Sequence, residues 1–268
     1  MPHRDSPPHL LILGGTGEAA ALAERAVARF GDALRVTTSL AGRTARPADV
    51  AGERRIGGFG GADGLAAYIA EHGVGLVIDA THPFAAQISA QAAAACAAAR
   101  VPRLVLERPA WRRDPRDRWI EVDDFGAAAA ALPALGRRCF LTTGARGLAA
   151  FAGLGDIHFI VRLVDAPGTA LPLASYELVL GRGPFGLAEE GAMLQRHAID
   201  MLVVKASGGG ATEAKLVAAR ELGLPVVMLR RPPAPPGARA GSVAAALDWL
   251  AARLAGHGPD LTTEEIAG

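Results

Sequence analysis

A glycine-rich turn near the N-terminus is the part of this sequence whose residue types and spacing point most directly to chemistry. Gly15-Thr-Gly-Glu-Ala-Ala20 fits the G-x-G-x-x-G/A pattern, directly after the apolar run Leu10 to Leu13. Glycines there permit a tight turn, and the exposed N–H groups at the N-terminus of the following helix bind phosphate oxygens. The pattern predicts that the pyrophosphate of a dinucleotide is bound by Gly14, Gly15, Thr16, Gly17 and Glu18. For Glu18, capping of the first helical turn and a bond to the cofactor are both open.

The segment after the second predicted strand bears on which dinucleotide is bound. An NAD site has a carboxylate about 20 residues after the glycine turn, where it binds the ribose 2′-hydroxyl. Here the segment reads Val36-Thr-Thr-Ser-Leu-Ala-Gly-Arg43 and has no carboxylate. A hydroxyl and a guanidinium suit a 2′-phosphate, so Ser39 and Arg43 predict NADPH/NADP⁺ as the cofactor. A solvated basic loop is the alternative.

A third segment, Asp79-Ala-Thr-His-Pro-Phe84, ends another apolar run and leads into a helical pattern. Ligands gather at the carboxyl ends of strands in parallel sheets, so we expect this loop to lie along the cofactor. The residues expected to contact it are Asp79, Ala80, Thr81, His82 and Pro83. The same tetrapeptide can also start a helix, with Thr81 or His82 as the N-cap and Pro83 at the first helical position, and we expect the cap and the cofactor contact together. His82 is also a candidate acid-base group.

Three further glycine-bearing loops follow apolar runs in the second half of the chain. They are Leu141-Thr-Thr-Gly-Ala-Arg-Gly147, Gly181-Arg-Gly-Pro-Phe-Gly186 and Val204-Lys-Ala-Ser-Gly-Gly-Gly210. Such loops present backbone donors along one rim, which suits a large polar substrate. Lys205, at the end of a predicted strand, is expected to contact substrate or cofactor, and a Schiff base there has no further support. Lys215 lies in a helical pattern and is expected to be solvated.

The elements that must position these residues alternate along the chain. Helical patterns such as Glu18 to Arg29 and Phe84 to Ala99 separate short apolar or β-branched runs. Strands are predicted at residues 10–13, 34–38, 75–79, 103–106, 138–142, 157–163, 178–180, 201–204 and 225–229, with a weaker one at 54–56. The alternation predicts the α/β class, with mostly parallel sheets covered by helices on both faces.

A proline- and charge-rich stretch, Arg108 to Trp119, interrupts this alternation and is the best candidate for a linker. The length of 268 residues also favours two domains. We therefore predict two α/β domains, and a cleft that holds a large polar substrate is expected if their two sheets face each other. Residues 1–110 are assigned to the NADP(H)-binding domain and residues 111–268 to the substrate domain.

The bulk composition excludes several classes of function. The 28 lysine and arginine residues nearly balance the 27 aspartate and glutamate residues, so no overall field draws the protein to nucleic acid or to an anionic membrane. Cys96 and Cys139 lack the spacing of a zinc or redox motif and are expected to be buried thiols, and no metal site is predicted. The sequence shows neither a signal segment nor an apolar run long enough for a bilayer, so a cytoplasmic location is expected.

Several blocks taken together resemble the precorrin-6A reductase family of cobalamin biosynthesis. They run in the same order from about Leu10 to Arg231, and the blocks Asp79 to Phe84 and Lys205 to Gly208 are far more specific than the glycine turn. The other blocks are Leu11-Ile-Leu-Gly-Gly-Thr-Gly-Glu18, Leu106-Glu-Arg-Pro-Ala-Trp111, Thr142-Thr-Gly144 and Gly183-Pro-Phe185.

The resemblance implies two Rossmann-like domains with mostly parallel sheets and with the active site in the cleft between them. It also implies the NADPH-dependent reduction of one double bond in precorrin-6A, which gives precorrin-6B by hydride transfer and addition of a proton. The family acts on a metal-free or a cobalt-bearing macrocycle, so any cobalt belongs to the substrate. His82 and Lys205 are the candidate catalytic side chains, but the proton can also come from water or from the substrate's carboxyl groups. Handover of the product to neighbouring pathway enzymes is a further expectation.

The substrate implied by the resemblance is a tetrapyrrole that carries several acetate and propionate groups. Its site therefore needs local cations in a protein with little net charge. The candidates for substrate binding are Arg108, Thr143, Gly144, Arg146, Arg182, Lys205, Ser207 and Gly208. A surface charge is the alternative for each arginine.

Other nucleotide-binding enzymes have less support. A short-chain dehydrogenase needs a Tyr-x-x-x-Lys pattern to lower the pKa of its phenol, but His72 and Leu180 stand at that spacing after Tyr68 and Tyr176. A zinc alcohol dehydrogenase needs more cysteines, and a P-loop kinase needs G-x-x-x-x-G-K-[ST]. The remaining alternative is a sensor or regulatory protein that binds NADP(H) without turnover, with a partner surface in place of a polycarboxylate site.

Overall fold

Two six-stranded parallel sheets carry the fold. The computed structural model describes residues 6–42 and 49–256. These described residues divide into unit 1, which comprises those up to residue 108 and residues 232–256, and unit 2, which comprises residues 109–231. Every strand pairing in both sheets is parallel, and helices separate most strands along the chain, so the predicted α/β class is confirmed.

The sheet of unit 1 has the order β12-β5-β4-β1-β2-β3. Its strands are β1 (His9–Leu13), β2 (Arg35–Leu40), β3 (Glu53–Ile56), β4 (Val74–Asp79), β5 (Arg103–Leu106) and β12 (Ala238–Ala240). Strands β3-β2-β1-β4-β5 follow the Rossmann order, and the order reverses between β1 and β4. Ligands of such sheets bind at the carboxyl ends of the strands at that reversal, which is where the glycine turn begins.

Alternate residues of β1 face opposite layers of helices, as the period of a strand requires. The helices of unit 1 are α1 (Gly17–Phe30), α2 (Ala62–Glu71), α3 (Ala86–Ala99) and α7 (Val243–Leu254). Leu10 and Ile12 lie in the cluster that includes Leu22 of α1 and Leu250 of α7. Leu11 and Leu13 lie in the cluster that α2 and α3 cover on the other face. Burial on both faces explains why β1 is a continuous apolar run.

The C-terminal segment corrects the predicted domain boundary. β12 pairs with β5, and α7 packs on the β1 face of unit 1. The predicted break after residue 110 lies two residues from the observed one, but the assignment of residues 232–256 to the second domain is wrong. A three-residue strand after a proline-rich stretch carries no local signal of which sheet it joins, because pairing partners lie far away in the sequence.

The sheet of unit 2 has the order β6-β11-β10-β7-β8-β9. Its strands are β6 (Arg118–Val122), β7 (Arg138–Leu141), β8 (His158–Leu163), β9 (Tyr176–Leu180), β10 (Met201–Lys205) and β11 (Pro225–Leu229), and its helices are α4 (Phe125–Ala131), α5 (Leu187–Arg196) and α6 (Ala214–Glu221). The order again reverses beside its central strand, here between β7 and β10. Strands β6 and β12 were not predicted, because each follows a stretch rich in proline and arginine.

No helix in the described part of the chain is both long and apolar enough to cross a membrane.

Candidate functional site

The glycine turn connects β1 to α1 with the geometry of an anion site. Thr16 is the N-cap of α1, and its Oγ1 accepts a hydrogen bond from the N–H of Ala19 at 3.1 Å. Gly15 has a φ of +105°, which favours glycine, and a Cβ built at Gly15 or Gly17 would meet no atom within 4 Å. The space before the helix N-terminus is therefore open to a ligand, and the residues present fit a pyrophosphate.

The turn is also tied to the end of β4, across the reversal of strand order. Thr16 Oγ1 donates to the carbonyl of Ala80 at 2.7 Å, and the N–H of Ala80 donates to the carbonyl of Leu13 at 3.0 Å. Thr16 thus caps its own helix and holds the neighbouring loop. The structure brings together two segments that the sequence shows 64 positions apart.

Asp79 is hydrogen-bonded to the loop that follows β4. Its side chain is almost fully buried, and its Oδ1 accepts hydrogen bonds from the N–H of Thr81 at 3.2 Å and from Thr81 Oγ1 at 2.7 Å. Its Oδ2 lies 3.9 Å from Arg103 Nη1. The carboxylate therefore shapes the loop and is directed into the protein.

The proposed helix initiation by this loop is wrong, because α3 begins at Ala86 with Ala85 as its N-cap. Residues 81–85 form a separate turn, in which the N–H of Ala85 donates to the carbonyl of His82 at 2.7 Å. The N–H of Phe84 donates to His82 Nδ1 at 3.2 Å. If Nδ1 accepts this bond in the neutral imidazole, Nε2 carries the proton.

At the end of β2, Ser39 lies between the glycine turn and an arginine that the sequence analysis did not single out. The carbonyl of Ser39 accepts from the N–H of Gly14 at 2.9 Å, and Ser39 Oγ lies 3.4 Å from Arg55 Nη1. Arg55 is in β3, where the pairing register places it beside Ser39. The sequence predicted only a weak strand there. The parallel pairing of β3 with β2 is what shows that Arg55 lies beside Ser39. Arg43 lies outside the described residues.

Glu18 and Arg108, which the sequence analysis assigned to cofactor and substrate, contact each other. Arg108 Nη2 donates to Glu18 Oε2 at 2.7 Å, and their side chains are 13% and 31% exposed. Glu18 lies in the first turn of α1, where a carboxylate is favoured by the helix dipole. The pair therefore fixes both groups beside the glycine turn.

In unit 2, Lys205 and Thr143 meet at the reversal of strand order. Lys205 is the last residue of β10, and its Nζ donates to the carbonyl of Thr143 at 2.7 Å, just after β7. The ammonium also lies 5.8 Å from the centre of the Phe125 ring. Gly144 follows with a φ of +76°. The ammonium is thus held at the edge where a Rossmann sheet binds its ligands.

Ser207 and Gly208 are buried by packing against the start of unit 2. A Cβ at Gly208 would collide with the carbonyl oxygen of Pro109, and the N–H of Gly209 donates to that oxygen at 3.1 Å. Arg231 Nη2 donates to the carbonyl of Ser207 at 3.0 Å. Ser207 and Gly208, in the block Lys205 to Gly208, therefore have a packing role.

Arg146 and Arg182 are exposed in the loops after β7 and β9. Because β9 is three strands away from β10 in the sheet order, its axis lies roughly 14 Å from that of β10. The sheet therefore does not place Arg182 beside Lys205.

A buried charged cluster was missed by the sequence analysis. Arg162 Nη1 and Nη2 each donate to an oxygen of Glu190 at 2.8 Å, with side chains 8% and 2% exposed. The guanidinium also lies 3.9 Å from the centre of the Phe185 ring. Lys215, predicted to be solvated, is buried and donates from Nζ to the carbonyl of Thr212 at 2.8 Å. Burial lowers its pKa to about 8, with Glu190 opposing and Arg162 adding to the shift.

The two cysteines are buried, as predicted. Burial raises the pKa of the Cys96 thiol to about 11, and burial also raises the pKa of the Cys139 thiol. Across residues 6–42 and 49–256, no group of three or more histidine, cysteine, aspartate and glutamate side chains is arranged to hold a metal ion.

Comparisons with known proteins show which family this chain belongs to. The family model described as precorrin-6x reductase CbiJ/CobK matches residues 9–251. The chain belongs to the precorrin-6x reductase family. A precorrin-6A reductase from Rhodococcus erythropolis is 50% identical over 242 residues, which cover 90% of this chain and 96% of the relative. One from Rhodobacter capsulatus is 44% identical over 249 residues, 93% and 96% of the two chains.

A solved structure described as CobK precorrin-6A reductase shares the fold of this member of the family. It is 43% identical and matches with a TM-score of 0.87 over 94% of this chain and 97% of that one. The resemblance found in the sequence blocks is confirmed, and the chain is an oxidoreductase of the α/β class with two parallel sheets.

Proposed function

We propose that this protein reduces one double bond of precorrin-6A to give precorrin-6B in cobalamin biosynthesis, with NADPH as the hydride donor. The observation that carries the proposal is the glycine turn before α1, which leaves open space for a ligand and in which Thr16 caps the helix. The neighbouring end of β2 has a hydroxyl and no carboxylate, and the chain belongs to this reductase family. A cytoplasmic location and handover of the product to the next enzyme rest on the family resemblance.

The cofactor site is assigned to unit 1. The backbone of Gly14, Gly15, Thr16 and Gly17 would hold the pyrophosphate, and Glu18 would orient Arg108 beside it. Ser39 and Arg43 would bind the 2′-phosphate. The loop of Ala80, Thr81, His82 and Pro83, which Asp79 and Thr16 hold, would lie along the rest of the cofactor.

NADPH supplies the hydride when it is bound, so the chain has to align the nicotinamide with the acceptor carbon and keep water away. A proton must also reach the macrocycle. His82 Nε2 and Lys205 Nζ are the side-chain groups that can deliver it, since His82 lies in the loop after β4 and Lys205 ends β10, each at the carboxyl edge of its sheet. Water and the substrate's own carboxyl groups can also supply the proton, so the chemistry of the reduction does not require either side chain.

Substrate carboxylates are assigned chiefly to unit 2. Lys205 supplies a charge held by Thr143, and Gly144 leaves the backbone at that edge accessible. The other assigned substrate contacts are Arg108, Arg146, Arg182, Ser207 and Gly208. Of these, Ser207 and Gly208 act by shaping the loop, because both are packed against neighbouring backbone.

The test is to mix the purified protein with precorrin-6A and NADPH labelled with deuterium at the transferred position of the nicotinamide. The expected result is loss of NADPH absorbance, together with a product that has gained one deuterium and one proton. Controls lack precorrin-6A or replace NADPH with NADP⁺. Tight NADPH binding without oxidation in the presence of precorrin-6A would contradict the reductase proposal and support the NADP(H) sensor.

A further inference from the structure

Arg55 lies at the carboxyl end of β3, one strand beyond the Ser39 that borders the glycine turn. The register pairs Ser39 with Arg55, and Arg55 Nη1 lies 3.4 Å from Ser39 Oγ. Ser39 in turn accepts from the N–H of Gly14 through its carbonyl. With strands about 4.8 Å apart, β3 lies roughly 10 Å from β1 across the sheet. Arg55 is therefore placed beside the site assigned to the cofactor, on the side of β2.

The guanidinium of Arg55 is held in a defined plane. Nη1 donates to the carbonyl of Gly57 at 2.6 Å, and Nη2 donates to the carbonyl of Gly58 at 2.8 Å. Its carbon lies 3.9 Å from the centre of the Phe59 ring and 5.2 Å from that of Tyr68. A stacked and bonded guanidinium loses less freedom when it binds an oxyanion, because the planar fork is already oriented.

The charge of Arg55 distinguishes it from the neighbouring arginines. Arg54 pairs with Asp49 at 3.4 Å, and Arg35 pairs with Glu53 at 2.8 Å. Within the described residues, the hydrogen bonds of Arg55 go to two carbonyls and one hydroxyl, and no carboxylate lies within ion-pair distance. Its full positive charge thus stands beside the end of β2, where an NAD site would have a carboxylate.

We propose that Arg55 selects NADPH over NADH by binding the 2′-phosphate of the adenosine, with the Ser39 hydroxyl beside it. This inference rests on the proposed function, since it names a residue of that cofactor site. A phosphate monoester offers several oxygens to a guanidinium fork, whereas the 2′-hydroxyl of NADH offers no charge to it. Arg55 therefore adds affinity only where the 2′-phosphate is present.

The test measures, by titration calorimetry, the binding of 2′,5′-ADP and of 5′-ADP to the wild-type protein, Arg55→Gln and Arg54→Gln. The Arg54 variant is the matched control, because Arg54 is the adjacent residue on the same strand and pairs with Asp49. In Arg55→Gln we expect the affinity for 2′,5′-ADP to fall roughly tenfold to a hundredfold, as for loss of a charge-assisted contact, with 5′-ADP binding unchanged. Arg54→Gln should bind both nucleotides as the wild type does, and Arg55→Lys should recover part of the preference.

Two results would overturn the role of Arg55 and leave the cofactor assignment of the proposed function intact. Equal weakening of both nucleotides in Arg55→Gln would show that Arg55 only supports the fold, and an unchanged preference for 2′,5′-ADP would assign the phosphate to other residues. If the wild-type protein binds neither nucleotide, the cofactor assignment of the proposed function fails and the role of Arg55 fails with it. Steady-state kinetics give a second readout, in which Arg55→Gln should raise KM for NADPH and leave kcat/KM for NADH unchanged.

Discussion

Arg108 Nη2 lies 2.7 Å from Glu18 Oε2, so an ion pair joins the segment after β5 to the first turn of α1. Both residues were predicted from the sequence to have binding roles, which remain predictions. Glu18 directly follows the glycine turn, so the pair holds the guanidinium of Arg108 beside that turn. We therefore expect neutralisation of either partner to lower stability. The effect on substrate binding should differ between the two, because only Arg108 is proposed to contact the substrate.

We expect Glu18→Gln and Arg108→Gln each to lower the free energy of unfolding by about 0.5 to 1 kcal/mol, since the pair is partly exposed. The double variant should lose less than the sum of the two. Arg108→Gln should also raise KM for precorrin-6A more than Glu18→Gln does, because it removes the charge itself. Urea unfolding and steady-state kinetics measure these effects, and equal KM values in the two single variants would show that Arg108 serves only as the partner of Glu18.

Thr16 makes two hydrogen bonds with one hydroxyl, to the N–H of Ala19 and to the carbonyl of Ala80. Thr16→Ala should lower the free energy of unfolding by about 1 to 2 kcal/mol through loss of the cap and of the bond to Ala80. It should also weaken NADPH binding, because the loop after β4 is released. Thr16→Ser keeps the hydroxyl and should behave as the wild type in both measurements. A weakened Thr16→Ser variant would mean that the methyl group, and not the hydroxyl, holds the turn.

Glu190 neutralises a buried guanidinium, so its removal should be costly. Glu190→Gln leaves Arg162 and Lys215 buried without a carboxylate and should lower the free energy of unfolding by about 3 to 5 kcal/mol. The control is Asp123→Asn, which breaks the Arg230–Asp123 pair, whose side chains are 53% and 79% exposed. That change should cost less than about 1 kcal/mol in the same urea titration. Similar losses in the two variants would show that the Arg162–Glu190 pair is well solvated.

Lys215 should make stability depend on alkaline pH. Its pKa is about 8 in the folded protein because of burial, against about 10.4 for an unfolded lysine. Between these values the unfolded chain binds a proton that the folded protein does not, so the free energy of unfolding rises with pH. Compared with Lys215→Met, the wild type should gain at most about 1.4 kcal/mol per pH unit from pH 8 upward. Denaturant titrations of both proteins test this, and parallel pH profiles would show that Lys215 titrates normally.

The sequence allowed much of the fold to be predicted, because the signals of its elements are local. A strand buried on both faces is a continuous apolar run, and a glycine turn followed by a capped helix is one short segment, as β1, Gly15 and Thr16 illustrate. Lys215 shows the limit of such reasoning. Its helical spacing resembles that of a surface residue, and only the packing of α5 and α6 in one cluster reveals that it is buried.

The sequence by itself determined the alternating α/β pattern, the position of the glycine-rich turn and the family to which the chain belongs. The tertiary structure decided which sheet the C-terminal segment joins, that Thr16 holds Ala80, that Lys205 is held by Thr143, and that Arg55 lies beside Ser39. The physical reason is the same in each case. Parallel pairing aligns the ends of strands that are far apart in the chain, and the partners of a polar group depend on that alignment and on what packs over it.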